Sequence, residues 1–418
     1  MLQTLLLRSR AAAFVKSLHT PVLKRGFSSL PPNVKKVSDV IKLSIGGTVV
    51  FVGINLYFKN EKFYDTWVMP IFHSVDPETA HNLAVMAAKY NLVPEAKLKE
   101  SKLLESRVVN LVFKTPVGLA AGFDKHGEAV EGLFRMGFSF VEVGSVTPLP
   151  QPGNPKPRVF RLKDDKAVIN RYGFNSDGHE VVHARLSQLQ PPGQRPGILG
   201  INLGKNKTSE DYVQDYTQGI ASFGPIADYL VVNISSPNTP GLRNLQHRGK
   251  LEKLVDAVVD ARDKLPGTHK PPIFLKIAPD LTDEDKLDIA AVVRRKGRQV
   301  DGLIVSNTTI SRPHTLQSAE REETGGLSGL PLRALATKTI KDMYQLVEDS
   351  VPIIGVGGIA SGQDAYDKIR AGASLVQLYT ALIYHGPPLV TRITRELEEL
   401  LIRDGFKSVS EAVGVDCK

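Results

Sequence analysis

The 418-residue chain is 42% hydrophobic and 23% charged, which excludes wholesale disorder and a multi-span membrane protein and allows one large domain with additions, or two to three ordinary ones. Its 35 glycines and 27 prolines exclude a coiled coil. The net charge of +9 would suggest nucleic acid or anionic membrane as partner if it were evenly spread. It is not. Arg8, Arg10, Lys16, Lys24, Arg25, Lys35 and Lys36 stand in the first 38 positions with no Asp or Glu among them, and the body is nearly neutral.

Residues 1–30 are basic and acid-free, with Leu5, Leu6, Leu7, Ala11, Ala12, Phe14 and Val15 between the charges, and read as a mitochondrial or plastid transit peptide. Residues 40–58 read as a single transmembrane helix flanked by Lys42, Lys59 and Lys62. The uncharged positions 43–58 span about 24 Å, short of a ~30 Å hydrocarbon core unless Val40 and Ile41 join and Lys42 snorkels. Basic residues are balanced across the span and leave its orientation open. Residues 62–95 read as two amphipathic helices. The first carries Phe63, Trp67, Met69, Ile71 and Phe72, and the second is announced by Asp76-Pro77 and carries Ala80, Leu83, Ala84 and Ala87. Such a pair, directly after an anchor, suits a bilayer surface and an apolar ligand.

Residues 105–418 alternate short β-branched runs with helical stretches. Strands are expected at 117–122, 140–147, 198–204, 229–235, 273–278, 302–308, 352–358 and 375–380, and helices at 128–136, 209–222, 251–265, 283–294 and 363–371. Near-continuous apolar strands signify parallel neighbours buried on both faces. Eight strand–helix units favour a (β/α)8 barrel, of α/β class, over an open doubly wound sheet. Residues 158–170 alternate around a polar middle and are expected to form an inserted β-hairpin.

A barrel of this kind places its active site at the C-terminal strand ends. Here those ends are rich in Asn, Ser, Thr, Lys and Gly, more than helix capping alone explains. Cys417 is the one cysteine, so cysteine nucleophiles and Cys-based zinc sites are excluded, no HExxH occurs, and no metal site is expected. Amides, hydroxyls and lysines suit a planar ligand with alternating C=O and N–H groups plus an anionic group. Gly355-Val-Gly-Gly-Ile-Ala360 matches G-x-G-x-x-G/A, but no acid follows between Asp367 and Glu396 where a dinucleotide ribose would need one. Gly357, Gly358, Tyr379 and Thr380 therefore read as a mononucleotide phosphate cradle.

The strings AAGFDKHGEA, GSVTP, NRYGFNS, NLGKNK, NISSPNT, KIAPDLT, SNTT, GGLSG, GVGGI and QLYTAL, in this order, resemble the class 2, quinone-dependent dihydroorotate dehydrogenase family over about residues 62–405. The resemblance implies an FMN-dependent barrel oxidoreductase that converts (S)-dihydroorotate to orotate in de novo pyrimidine (UMP) synthesis. Ubiquinone would be its electron acceptor. It also implies a single-pass protein of the mitochondrial inner membrane, in contact with its lipid, with the barrel facing the intermembrane space. Neither nucleic acid nor metal is expected as partner.

Carried over by position, Ser236 is the general base and Lys276 stabilises the reduced flavin; the residues alone do not choose Ser236 over Ser235. Lys125, Asn170, Arg171, Tyr172, Gly173, Phe174, Asn233, Asn238, Asn307 and Thr308 are the implied substrate residues. FMN would be held by Ala120, Ala121, Gly122, Lys125, Ser145, Asn170, Asn202, Asn233, Lys276, Ser306, Ser328, Gly329, Gly357, Gly358, Leu378, Tyr379 and Thr380. The quinone tunnel would use Phe72, His81, Arg161 and Tyr379. Phe72 stands where some members have an amide side chain, and Ser306 where some have threonine. The soluble class of the same family would need a cysteine base. A 2-hydroxy-acid oxidase would need a histidine base and carboxylate-binding arginines. A membrane-tethered scaffold would carry no flavin.

Overall fold

The computed structural model describes residues 32–348 and 350–417, with side chains from Lys36 onward. The expected leader lies outside the described residues. The chain divides into two compact units between Phe58 and Lys59.

The first unit contains helix α1 (Pro32–Tyr57), which begins ahead of the span expected at 40. Its apolar stretch Lys36–Tyr57 has 22 residues, about 33 Å at 1.5 Å per residue. The shortfall reckoned from uncharged positions alone therefore disappears, because Lys36, Asp39 and Lys42 continue the helix instead of ending it. Lys42 pairs with Asp39 at 3.5 Å. Val40, Leu43, Ile45, Val49 and Phe51 are each more than half exposed, so α1 is long and apolar enough to cross a bilayer.

In the second unit the two expected helices appear as α2, made of Glu61–Phe63, a π-helical turn Tyr64–Val68 and Met69–Ser74, and α3 (Pro77–Lys89). Asp76 caps α3 by accepting from Thr79 N at 2.8 Å. A hairpin not anticipated from sequence follows, β1 (Ser106–Val108) and β2 (Leu111–Phe113).

Eight parallel strands then close into a barrel in the order β3 (Val117–Leu119), β4 (Phe140–Val146), β7 (Ile198–Leu203), β8 (Tyr229–Asn233), β9 (Ile273–Ile277), β10 (Gly302–Val305), β12 (Ile353–Val356) and β13 (Leu375–Leu378). After β4 the chain inserts β5 (Val159–Leu162) and β6 (Ala167–Asn170), the expected hairpin. It gains an unexpected third strand, β11 (Gly326–Gly329), antiparallel to β6. Glycines at both ends of β11 give no strand signal of their own, so its pairing is a tertiary effect. The intervening helices are α4 (Val130–Arg135), α5 (Gly178–Leu186), α6 (Tyr212–Phe223), α7 (Arg248–Asp263), α8 (Asp283–Val293), α9 (Arg333–Val347) and α10 (Gly362–Arg370). The chain ends with α11 (Thr380–His385), α12 (Pro388–Arg403) and α13 (Val409–Ala412).

The barrel interior is graded from apolar to polar. Its floor holds Phe140, Tyr229 and Phe274, joined by Val108 and Phe113 of the β1–β2 hairpin. Each ring lies across a glycine directly opposite it in register: Phe140 over Gly118, Tyr229 over Gly200, Phe274 over Gly302. A Cβ at these glycines would meet the ring at 2.0–2.4 Å, so the floor requires hydrogen there. One turn of strand higher, the inward side chains become Glu142, Asn202, Asn233, Lys276 and Gln377, all buried.

Candidate active site

These inward polar groups form a continuous network. Asn233 Nδ2 donates to Ser145 Oγ at 3.0 Å and to Asn202 Oδ1 at 3.1 Å. Ser145 Oγ donates to Asn202 Oδ1. Asn202 Nδ2 then donates to Glu142 at 2.8 Å, and Lys276 Nζ donates to the same carboxylate oxygen at 3.0 Å. A register shift in β4 between Gly144 and Val146 aims Ser145 at this network. Glu142 was missed in the sequence because it stands mid-strand between apolar residues and matches no motif. The carboxylates at the strand ends, Asp124 and Asp280, do other work. Asp124 accepts from Glu128 N and Ala129 N at 2.8 Å at the entry to α4, and Asp280 pairs with Arg243 at 2.8 Å.

The two adjacent serines after β8 have different surroundings. Ser235 Oγ donates to Asn233 Oδ1 at 2.8 Å and accepts from Asn307 Nδ2 at 2.9 Å, so its hydroxyl is committed on both sides. Ser236 Oγ only accepts, from Asn238 N at 3.3 Å, and its proton and a lone pair are uncommitted among the described residues. Arg243, also missed in the sequence, joins three strand-end loops: it donates to Ser235 O at 3.0 Å, to Asp280 Oδ2 at 2.8 Å and to Thr308 O at 2.9 Å. Asn307 Oδ1 accepts from Thr308 N at 2.8 Å, and Ser306 Oγ donates to Asn307 O at 3.1 Å.

The loop after β6 closes one side. Asn238 Nδ2 donates to Asn170 O at 3.1 Å, linking it to the serine loop. Phe174 has φ +55°, and its ring would lie 3.1 Å from a Cβ at Gly204. Gly173 has φ +70° with Asn154 packed against it. Lys125 Nζ donates to Gly122 O and sits 4.0 Å above the Tyr172 ring, while the Arg158 guanidinium is 5.1 Å from the same ring. Arg158 is held by Glu78 of α3 at 2.8 Å, a buried pair. Burial, reinforced by Arg158, pulls the Lys125 ammonium down to about 7, against the opposing pull of Glu78 and Asp124. Arg171 is engaged elsewhere. It pairs with Glu323 at 2.6 Å and donates to Thr324 O at 3.1 Å and Pro157 O at 3.0 Å, so it braces the loop instead of joining the cluster.

Opposite lies a set of tight backbone turns. Gly357 and Gly358 have φ +118° and +71°, and a Cβ at Gly358 would lie 2.8 Å from Arg333 N. Gly329, at φ +95°, abuts Thr380, whose hydroxyl donates to Ser328 Oγ at 2.9 Å. Ala120 N donates to Leu378 O at 3.1 Å, Gly122 N to Gly144 O at 2.9 Å, and Ala121 stands between them. The structure thus brings the glycine turns and the end of β13 to one rim.

The expected tunnel residues fall into two groups. His81 Nε2 meets Phe123 O at 2.7 Å, and since a carbonyl only accepts, this nitrogen carries the proton. His81 Nδ1 then accepts from the Tyr379 hydroxyl at 2.8 Å. Burial, with Lys125 nearby, pushes the imidazole down to about 3, so it is neutral at physiological pH. Arg161 donates to His73 O at 3.1 Å and Val75 O at 3.3 Å at the end of α2, where half-buried Phe72 also stands, and among the described residues the Arg161 Nε is buried without a partner.

A closed parallel barrel with amides, hydroxyls, two lysines and glycine turns at its C-terminal rim is an α/β-barrel enzyme site built for a planar anionic ligand and a nucleotide phosphate. The family model for dihydroorotate dehydrogenase matches residues 103–401. The "Dihydroorotate dehydrogenase (quinone), mitochondrial" of Mus musculus is 56% identical over 387 residues, covering 91% of this chain and 98% of the relative. A bacterial relative from Xanthobacter autotrophicus, "Dihydroorotate dehydrogenase (quinone)", is 53% identical over 352 residues, 84% of this chain and 98% of its own. A crystal structure of DHODH from Eimeria tenella in complex with ferulenol superposes with a TM-score of 0.79 at 45% identity, covering 83% of this chain and 98% of that one. The chain belongs to the dihydroorotate dehydrogenase family.

The family uses FMN, and the rim fits it. The Gly329, Gly357 and Gly358 turns leave no room for side chains, which suits a phosphate approached by backbone N–H groups. Lys276, Asn202, Asn233 and Ser145 supply the donors and acceptors that a flavin pyrimidine edge matches.

Proposed function

We propose that the protein oxidises (S)-dihydroorotate to orotate with FMN and passes the electrons to ubiquinone, a step of de novo pyrimidine synthesis, in line with relatives named dihydroorotate dehydrogenase (quinone). When bound, FMN supplies the hydride acceptor for substrate C6 and the electrons for quinone. Gly329, Gly357, Gly358, Ser328 and Thr380 hold its phosphate, and Ala120, Ala121, Gly122, Leu378 and Tyr379 line it. Lys276 presents a positive charge to its pyrimidine edge, with Ser145, Asn202 and Ser306 beside it.

Ser236 accepts the C5 proton on Oγ. The observation that carries this assignment is the contrast with Ser235, whose hydroxyl is occupied on both sides while Ser236 keeps a lone pair. A serine hydroxyl is a weak base, so its proton must leave as the C5 proton arrives, through a water in the closed site. Lys125 pairs with the substrate carboxylate. Asn170, Asn233, Asn238, Asn307 and Thr308 orient its ring amides, and Gly173 and Phe174 close the pocket while Tyr172 supports Lys125. Arg171 acts on this pocket only through the loop it braces.

His81, Tyr379, Arg161 and Phe72 line the quinone path beneath α2 and α3. The apolar α1, the acid-free leader and the mitochondrial relatives support single-pass attachment to the mitochondrial inner membrane, in contact with its lipid; the intermembrane-space side for the barrel rests on the family resemblance alone.

The test is anaerobic mixing of the yellow holoprotein with dihydroorotate, followed by ubiquinone or fumarate. We expect bleaching by dihydroorotate and return of colour with ubiquinone but not with fumarate. Ser236→Ala should retain flavin and bleach at least about a hundredfold more slowly; a near-normal rate would remove Ser236 from the role of base.

A further inference from the structure

The mechanism leaves one fully buried carboxylate of the barrel interior unused. Glu142 is fully buried, on a strand whose neighbours in the sequence are apolar, and a carboxylate there carries a desolvation cost that few positions tolerate. It receives donors from four other strands. Oε1 accepts from Lys276 Nζ at 3.0 Å and Asn202 Nδ2 at 2.8 Å, while Oε2 accepts from Gln377 Nε2 at 2.7 Å and the Tyr229 hydroxyl at 3.4 Å. Among the described residues Glu142 is the only protein acceptor on Lys276. Tyr229 can lie there only because Gly200 has no side chain.

The partners are selective. Of the four side chains that donate to Glu142, Lys276 and Asn202 are the two that the proposed function assigns to the flavin, and both hang from the same carboxylate oxygen. A barrel needing only a filled interior would use apolar side chains here, as its floor does. We propose that Glu142 is the positioning residue of the flavin site: from inside the barrel it fixes Lys276 and Asn202 and offsets the lysine's charge, so lowering the reduction potential of the bound flavin. This rests on the reading that Lys276 faces the flavin.

The network also suggests a clean substitution. Among the described residues Gln377 Oε1 is buried without a partner, so a flip of the Gln377 amide would present an acceptor to the new N–H of Glu142→Gln. The charge is removed and the hydrogen bonds persist. Removing a buried negative charge beside an ammonium favours the reduced, anionic flavin.

The experiment equilibrates each flavin-loaded protein against reference redox dyes and reads the flavin midpoint potential from its absorbance. Glu142→Gln should shift the potential upward, equivalent to about tenfold or more toward reduced flavin, and the double change Glu142→Gln with Gln377→Glu should bring it back toward wild type. An unchanged potential in Glu142→Gln, with flavin bound, overturns the proposal. Should that variant lose flavin, Glu142→Asp provides the reading: its carboxylate, drawn back from Lys276 by one methylene, must raise the potential in part, and no change there also overturns it. Lys276→Met separates the two levels. If it leaves the potential unmoved, the placement of Lys276 at the flavin fails; if it lowers the potential while Glu142→Gln does nothing, only the role of Glu142 fails.

Discussion

Lys125, the proposed partner of the substrate carboxylate, shows how burial can tune a single side chain. It lies over Tyr172, where burial first and the nearby Arg158 second push it down to about 7, while Glu78 opposes the fall. A lysine whose folded value is depressed is charged below that value and neutral above it, so affinity for a carboxylate is full at acid pH and is lost as pH rises through about 7. The KM for dihydroorotate should therefore be flat below pH 7 and rise about tenfold per unit above it. Lys125→Met should give a high KM without that bend, measured from initial rates across pH 6–9. The residues that carry this effect were unequally legible. Lys125 stands in a recognisable string at a strand end, whereas Glu78 and Arg158 are 80 positions apart and meet only because α3 packs beside the hairpin.

Between elements, the decisive contacts are made by loops that follow different strands. Arg243 ties the loop after β8 to those after β9 and β10, and Asp280 in turn receives Thr309 Oγ1 and Ile310 N. Its hydrogen bond to Ser235 O acts on the peptide that leads directly into Ser236. Arg243→Ala should keep flavin but slow bleaching by dihydroorotate between about tenfold and a hundredfold, the cost of a base displaced by a fraction of an ångström to one ångström. Arg243→Lys, which can still pair with Asp280 but loses the fork geometry, should fall between. Stopped-flow absorbance on both variants decides this, and wild-type rates in Arg243→Ala would refute it. The same scale explains the misjudged elements. The eight barrel strands were legible because each is an apolar run followed by a helix, while β11 and the β1–β2 hairpin owe their pairing to partners elsewhere in the chain.

At the scale of the whole molecule, the proposed function assigns the membrane to the N-terminal helices and the chemistry to the barrel. Removing residues 1–58 should release the protein from membranes while preserving bleaching by dihydroorotate, checked by sedimentation with vesicles and by absorbance. Removing residues 1–90 should further abolish reoxidation by ubiquinone. It should also lower the melting temperature, because Arg158 would lose its ion pair with Glu78 and α4 would lose the α3 backbone that abuts Gly132. Equal melting temperatures for the two truncations would contradict that account.

The sequence by itself determined the basic leader, the apolar helix, the eightfold strand–helix alternation and the strings of amides, hydroxyls and glycines at the strand ends. All of these are local patterns, legible from residue spacing and composition. Only the tertiary structure decided that Ser235 is committed and Ser236 is not, that Arg171 braces a loop, and that Glu142 holds Lys276 from 134 positions away. Those outcomes depend on which side chains the closed barrel brings within about three ångströms of one another in its buried interior, and no local pattern carries that information.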